Sequence, residues 1–262
     1  MKISRISLLH CYKLVFRSLL LLAALALYIV GRVKGSEGLF GGLEENRVVL
    51  GIIWGAFAFE MVLRFFPNKS ESMGCQKQFG RNYRPYEGQE HAHIRTVPHR
   101  AWRTWICLAA WLTLNIPFGI LYYAGVLDAG ILVLISLAYA VCDMICILFF
   151  CPFQTWILKN KCCTTCRIYN WDFAMMFTPL MFIWHPVTVT LSLLSLALLF
   201  FWEVQYRLYP ERFAEETNSS LACSHCKEKL CHHKKQLRRF LDRQRQVLLK
   251  LQSKLNLNKK RK

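Results

Sequence analysis

Long apolar runs, separated by short polar breaks, dominate the chain. Six are legible, at residues 14–33, 48–66, 104–123, 129–150, 173–184 and 187–206. About 20 residues rising 1.5 Å each cross a bilayer's hydrocarbon layer, so runs of this size predict transmembrane helices. The expected fold is therefore all-α. It is a polytopic membrane protein of about six transmembrane helices over residues 1–206, followed by a basic helical tail over 207–262. Turns at Val126-Leu127-Asp128 and His185-Pro186 join neighbouring runs. The fifth run is short and holds Pro179, which predicts a kinked or partly inserted helix.

Charge adds direction to the pattern. Lys2, Arg5 and Lys13 precede the first run, with Arg17 just inside it. The loop at 34–46 is mostly Gly and Glu, whereas the loop at 67–103 carries seven Lys and Arg. The turns at Asp128 and His185 carry none, the loop at 151–171 has Lys159, Lys161 and Arg167, and the tail from Arg207 holds sixteen. All basic segments share one side if both termini are cytosolic, the arrangement in which Lys and Arg stay inside. A multi-pass protein of the cell membrane is expected. The start competes as a signal peptide, because Lys2 and Arg5 precede Leu19-Leu20-Leu21-Leu22. No small-x-small cleavage site follows, so an uncleaved first helix is the favoured expectation. Trp102, Trp105, Trp171, Trp184, Trp202 and Tyr206 fall near run ends, where amphipathic rings anchor at the interface.

Composition agrees: 54% of the 262 residues are hydrophobic and the formal net charge is +18. In a soluble chain that charge would suggest nucleic acid. Here its placement marks the cytosolic face, and nucleic acid is not the expected partner. The tail from 234 to 262 has twelve Lys and Arg, with Leu237, Leu241, Leu248, Leu251 and Leu255 on a short heptad stripe that Gln244 interrupts. Two readings stay open. One is a coiled-coil homodimer through 234–258. The other, preferred because like charge opposes pairing, is a basic helix on anionic lipid headgroups.

The candidate chemistry is thiol chemistry. Cys162-Cys163-Thr164-Thr165-Cys166 precedes the last two runs, and Cys223-Ser224-His225-Cys226 follows them, continuing to Cys231-His232-His233. A membrane hairpin brings both clusters to one face. Zinc takes four ligands in a tetrahedron, and a Cys-x-x-Cys turn supplies two thiolates. Cys163, Cys166, Cys223 and Cys226 are therefore the expected zinc ligands, with Cys162, Cys231 and His232 as alternates. In the reducing cytosol clustered thiols favour metal or catalysis over disulfides. An iron–sulfur cluster and a thiol redox pair are the alternatives, and acylation of Cys162 and Cys163 is the inert one.

Ionisable groups inside runs default to functional hypotheses. Glu60 and Arg64 are spaced for an i,i+4 ion pair. Asp143 has no basic residue within a turn, and Cys142 and Cys146 beside it share a helix face. A small proton-coupled transporter using Asp143 or Glu60 is thus a third reading. Asn115 and Pro117 predict a kink with a polar contact, and Asp172 and Glu203 are expected to be solvated. The histidines at 91, 93 and 99 read as solvent-exposed. Phosphate-binding loops, dinucleotide glycines, His-Glu-x-x-His and a nucleophile elbow are absent, so no enzyme class is assigned.

Overall fold

The computed structural model describes residues 5–35, 40, 47–67, 73–86, 101–160, 162–225 and 246. Helices and turns make up all regular structure among the described residues, with no strand. The helices are α1 (Arg5–Val33), α2 (Arg47–Leu63), α3 (Met73–Gln78), α4 (Ala101–Tyr123), α5 (Ala129–Leu148), α6 (Asp172–Met176) and α7 (Pro186–Leu208). Four of them, α1, α4, α5 and α7, are long and apolar enough to cross a membrane. Their outward faces are apolar too: Leu19, Leu22, Ile120 and Phe200 are each about 60–70% exposed. A water-facing helix would be polar there, so the protein is membrane-embedded.

The central pair is α1 against α5, running antiparallel. Arg17 meets Ala140 and Asp143 at one end, and Tyr28 and Arg32 meet Asp128 at the other. Small residues allow the close approach. Ala24, Ala129 and Ala140 are fully or almost fully buried, and Gly130 lies under the Tyr28 ring. Asp128 starts α5 by accepting the Ile131 amide at 2.8 Å, and the same carboxylate takes the Tyr28 hydroxyl at 2.7 Å. Helix α2 lies alongside α7, with the Trp54 indole donating to Thr190 at 2.9 Å and Phe65 packed on Phe201.

The expected second span is the 17-residue α2, and the expected fifth span is not a continuous helix. Asp172–Met176 makes little more than one turn, and a 3₁₀ turn, Thr178–Phe182, follows. Pro179 lacks the amide that would extend α6. This segment still runs alongside α4. The Trp111 indole donates to Thr178 at 3.0 Å, Phe182 lies against Gly119, and the Tyr123 hydroxyl donates to the Phe182 carbonyl at 3.2 Å. Irregular backbone at this depth survives only inside protein, and Phe173, Met176, Phe177 and Leu180 are buried. Two ring expectations change as well. Trp171 and Trp202 are core residues rather than interface anchors, because Phe79 and Phe213 close over Trp202. Helix α4 continues through Pro117, with Asn115 donating to the Trp111 carbonyl at 2.9 Å.

Candidate functional site

Where α5 ends, the chain turns through Cys151-Pro152 into a single π-helical turn, Phe153–Leu158, closed by Lys159 in the left-handed region. A non-glycine residue there costs about 1–2 kcal/mol, and π turns recur at functional sites. This turn, α4, α5 and α6 enclose a cavity of about 360 Å³. Five thiols line it: Cys142 and Cys146 from α5, Cys151 from the turn, and Cys163 and Cys166 from the loop beyond. Its aromatic wall is Trp111, Tyr139 and Phe153, with Trp111 at 4.7 Å from Tyr139 and 6.0 Å from Phe153 between ring centroids. Cys151 accepts the Gln154 amide at 3.4 Å.

The other wall of the cavity, Asp143 and Asp172, belongs to a buried charge network. Arg17 is its hub. It is 2% exposed, donates to Glu60 at 2.6 Å and Asp143 at 3.1 Å, and also donates to the Ala140 carbonyl. Lys13 lies 3.5 Å from Glu60. Arg64 contacts Asp172 at 2.7 Å and stacks over the Phe173 ring. Glu60 and Arg64 thus each take a partner from another element. Asp172 is buried rather than solvated, and Glu203 is half-buried, accepting from Arg167 and from the Trp171 indole at 2.7 Å. Three cations face three carboxylates, which is what makes burial of so many charges tolerable. His10 lies beside this network, buried, with neither ring nitrogen hydrogen-bonded among the described residues.

The first cysteine knuckle forms as a turn. A 3₁₀ turn, Cys163–Thr165, is closed by the Cys166 amide donating to the Cys163 carbonyl at 3.1 Å. Cys163 donates to the Gln154 side chain at 3.1 Å, and Cys162 is half-buried just ahead. Cys166 is buried, and burial, with Cys163 and Cys151 nearby, pushes its thiol up to about 12. Cys223 is exposed. Cys226, Cys231, His232 and His233 lie outside the described residues, as do the histidines at 91, 93 and 99 and all of the leucine stripe. Among the described residues no three His, Cys, Asp or Glu side chains are gathered to hold a metal.

Both knuckle-bearing segments nevertheless rest on the short helix α3. The turn Cys163–Thr165 and the turn Ser219–Leu221 each pack on it. Asn170 donates to the Gln78 side chain at 2.9 Å, and Asn218 donates to the Lys77 carbonyl at 3.1 Å. Ser219 extends the strap by donating its amide to the Arg84 carbonyl at 2.8 Å.

Sequence reasoning passed over Arg17 as a hub, His10 as a buried imidazole and Cys151 as a thiol facing the same cavity as Cys146. Only Arg17 carried a usable signal, since an arginine inside an apolar run demands a buried counter-ion. Compared with protein-family models, curated proteins and solved structures, the chain matches none.

Proposed function

We propose that this chain is a multi-pass protein of the cell membrane, crossing six times with both termini cytosolic, whose cytosolic face carries a structural zinc. Cys163, Cys166, Cys223 and Cys226 are the ligands, with Cys162, Cys231 and His232 as alternates. The observation that carries this reading is the shared seat on α3, where Asn170 and Asn218 bond to adjacent residues, Gln78 and Lys77. The two cysteine segments are some 60 residues apart in sequence, yet each begins or ends within a few residues of that seat. The closed Cys163-x-x-Cys166 turn supplies half of a tetrahedral site, and the exposed Cys223 leads into the second half. Zinc there ties the tail to the loop before α6, so that the basic segment 234–262 is held at the membrane face, where it meets anionic lipid headgroups.

The test is elemental analysis of the purified full chain, alongside the double variant Cys163→Ser/Cys223→Ser. About one zinc per chain is expected, the number that one four-thiolate site holds. The double variant should lose the metal and release the Lys- and Arg-rich tail to trypsin. A metal-free wild-type chain, or a double variant with unchanged zinc and protease pattern, overturns the reading. Iron with acid-labile sulfide in place of zinc replaces it with the iron–sulfur alternative.

A further inference from the structure

A second cavity, a groove of about 590 Å³, lies between the first turns of α2 and α7. The two helices run side by side in the same direction. Trp54 meets Thr190, and eleven residues further along each segment Phe65 meets Phe201. Both helices therefore begin at one end of the molecule. Cys223 follows the other end of α7, a helix of 23 residues and thus about 35 Å long. The groove shares no residue with the proposed zinc ligands and sits at the far end of α7 from them.

Its lining is amphipathic. Arg47, the first residue of α2, and His185, which caps α7, supply the polar groups, and Leu50, Gly51, Trp54 and Val187 supply the rest. The Val187 amide donates to His185 Nδ1 at 3.3 Å, which puts the ring proton on Nε2 and makes that nitrogen a donor. The Phe40 ring, edge-on at 4.8 Å between centroids, fixes the imidazole. A guanidinium and an imidazole N–H together suit one phosphate group. No acidic side chain lines the groove among the described residues, so an ammonium group finds no counter-charge there. Gly51 leaves a trough, since a Cβ at that position would meet nothing within 4 Å. Depth points the same way. The membrane-crossing α7 begins at Pro186, and Trp184, just ahead of it, is 92% exposed, as an indole in the headgroup layer is. Beyond it, Ile52 and Phe59 on α2 and Leu193 on α7 are exposed and apolar, a surface for acyl chains.

We propose that this groove binds one anionic phospholipid with no amine in its headgroup, of the phosphatidylglycerol kind. Arg47 and His185 hold the phosphate, and one acyl chain passes over Gly51 between Trp54 and Val187. The volume exceeds what a lone phosphate ion fills and suits a headgroup with the first part of a chain. A lipid seated there bridges α2 and α7 and stabilises the folded chain, because it binds that state alone.

The probe is phosphatidylglycerol with a diazirine on one acyl chain, in phosphatidylcholine nanodiscs holding the full-length chain. After photolysis, mass spectrometry maps the labelled residues, so that label in this groove is read apart from label on the basic tail. Label is expected on residues 50–54 and 187, displaced by unlabelled phosphatidylglycerol and not by phosphatidylcholine or glycerol phosphate. Arg47→Gln should weaken that displacement about 10- to 100-fold, the effect of losing one hydrogen bond to a charged group. Gly51→Leu fills the trough and keeps both polar groups. It should lose the displaceable label while unfolding no earlier than the wild type in lipid-free detergent, since nothing crowds the new side chain and leucine favours a helix over glycine. Absence of label at these residues, equal displacement by phosphatidylcholine, or an affinity unchanged in Arg47→Gln or Gly51→Leu overturns the proposal. Displacement by glycerol phosphate as strong as by the lipid replaces the phospholipid with a soluble phosphate ester and overturns it too.

Discussion

At the scale of single residues, the choice of partner for Arg17 decides how the membrane interior tolerates charge. An isolated guanidinium in hydrocarbon is costly. Here it is held by two carboxylates and a backbone carbonyl. Truncating one member of such a network leaves the remaining charge buried and alone, which costs about 3–5 kcal/mol, whereas removing both members of a pair is often close to neutral. Arg17→Met should therefore lower stability by about that amount, seen as an earlier thermal unfolding transition in detergent. Arg17→Met/Asp143→Asn should recover most of the loss, since Glu60 keeps Lys13 at 3.5 Å. A double variant no better than the single one would mean that Asp143 is satisfied by something other than Arg17. That Arg17 needed a counter-ion was readable from the sequence. That Asp143, 126 positions away, supplies it was not.

At the scale of elements, two glycines set how closely segments approach, and they fail differently when filled. A Cβ on Gly119 would lie 2.6 Å from the Phe182 ring, the side chain that ends the broken segment. A Cβ on Gly130 would lie 2.7 Å from the Tyr28 ring and 3.0 Å from the Phe40 carbonyl, which is backbone. Alanine gains up to about 1 kcal/mol of helix propensity over glycine. Overpacking costs typically 1–3 kcal/mol, so the clash wins. Both Gly→Ala variants should unfold at lower temperature. Phe182→Leu should rescue Gly119→Ala, because a side chain is the obstacle. Tyr28→Leu should leave Gly130→Ala impaired, because the carbonyl remains. Rescue of both, or of neither, would contradict these contacts. The broken segment itself was half legible. Pro179 marks an interruption in any sequence, but only packing against α4 explains why residues 172–183 stay at depth without forming a continuous helix.

For the whole molecule, the distribution of Lys and Arg bears on orientation. If both termini are cytosolic, a fluorescent-protein fusion after Lys262 should fluoresce, and alkaline phosphatase inserted at the Val126–Asp128 turn should be active when expressed in a bacterium. An inactive phosphatase there, with an active one at the C-terminus, would invert the topology and put the thiols in an oxidising compartment. That would recast them as disulfide partners. Orientation therefore decides the chemistry as much as ligand spacing does.

Run length and hydropathy are local properties, and they determined by themselves that the described residues are helical and the protein membrane-embedded. Spacing, likewise local, determined that Cys163 and Cys166 share one turn. Which thiols meet is a matter of separate elements, and only the tertiary structure decided it. Cys142, Cys146 and Cys151 join Cys163 and Cys166 around one cavity because the π turn folds the chain back beneath α5. The same holds for the shared seat on α3 and for the Arg17 and Arg64 ion pairs, which join positions 43 to 126 residues apart. Such contacts are selected by packing and by the cost of burying an unpaired charge, and neither leaves a periodic signature along the chain.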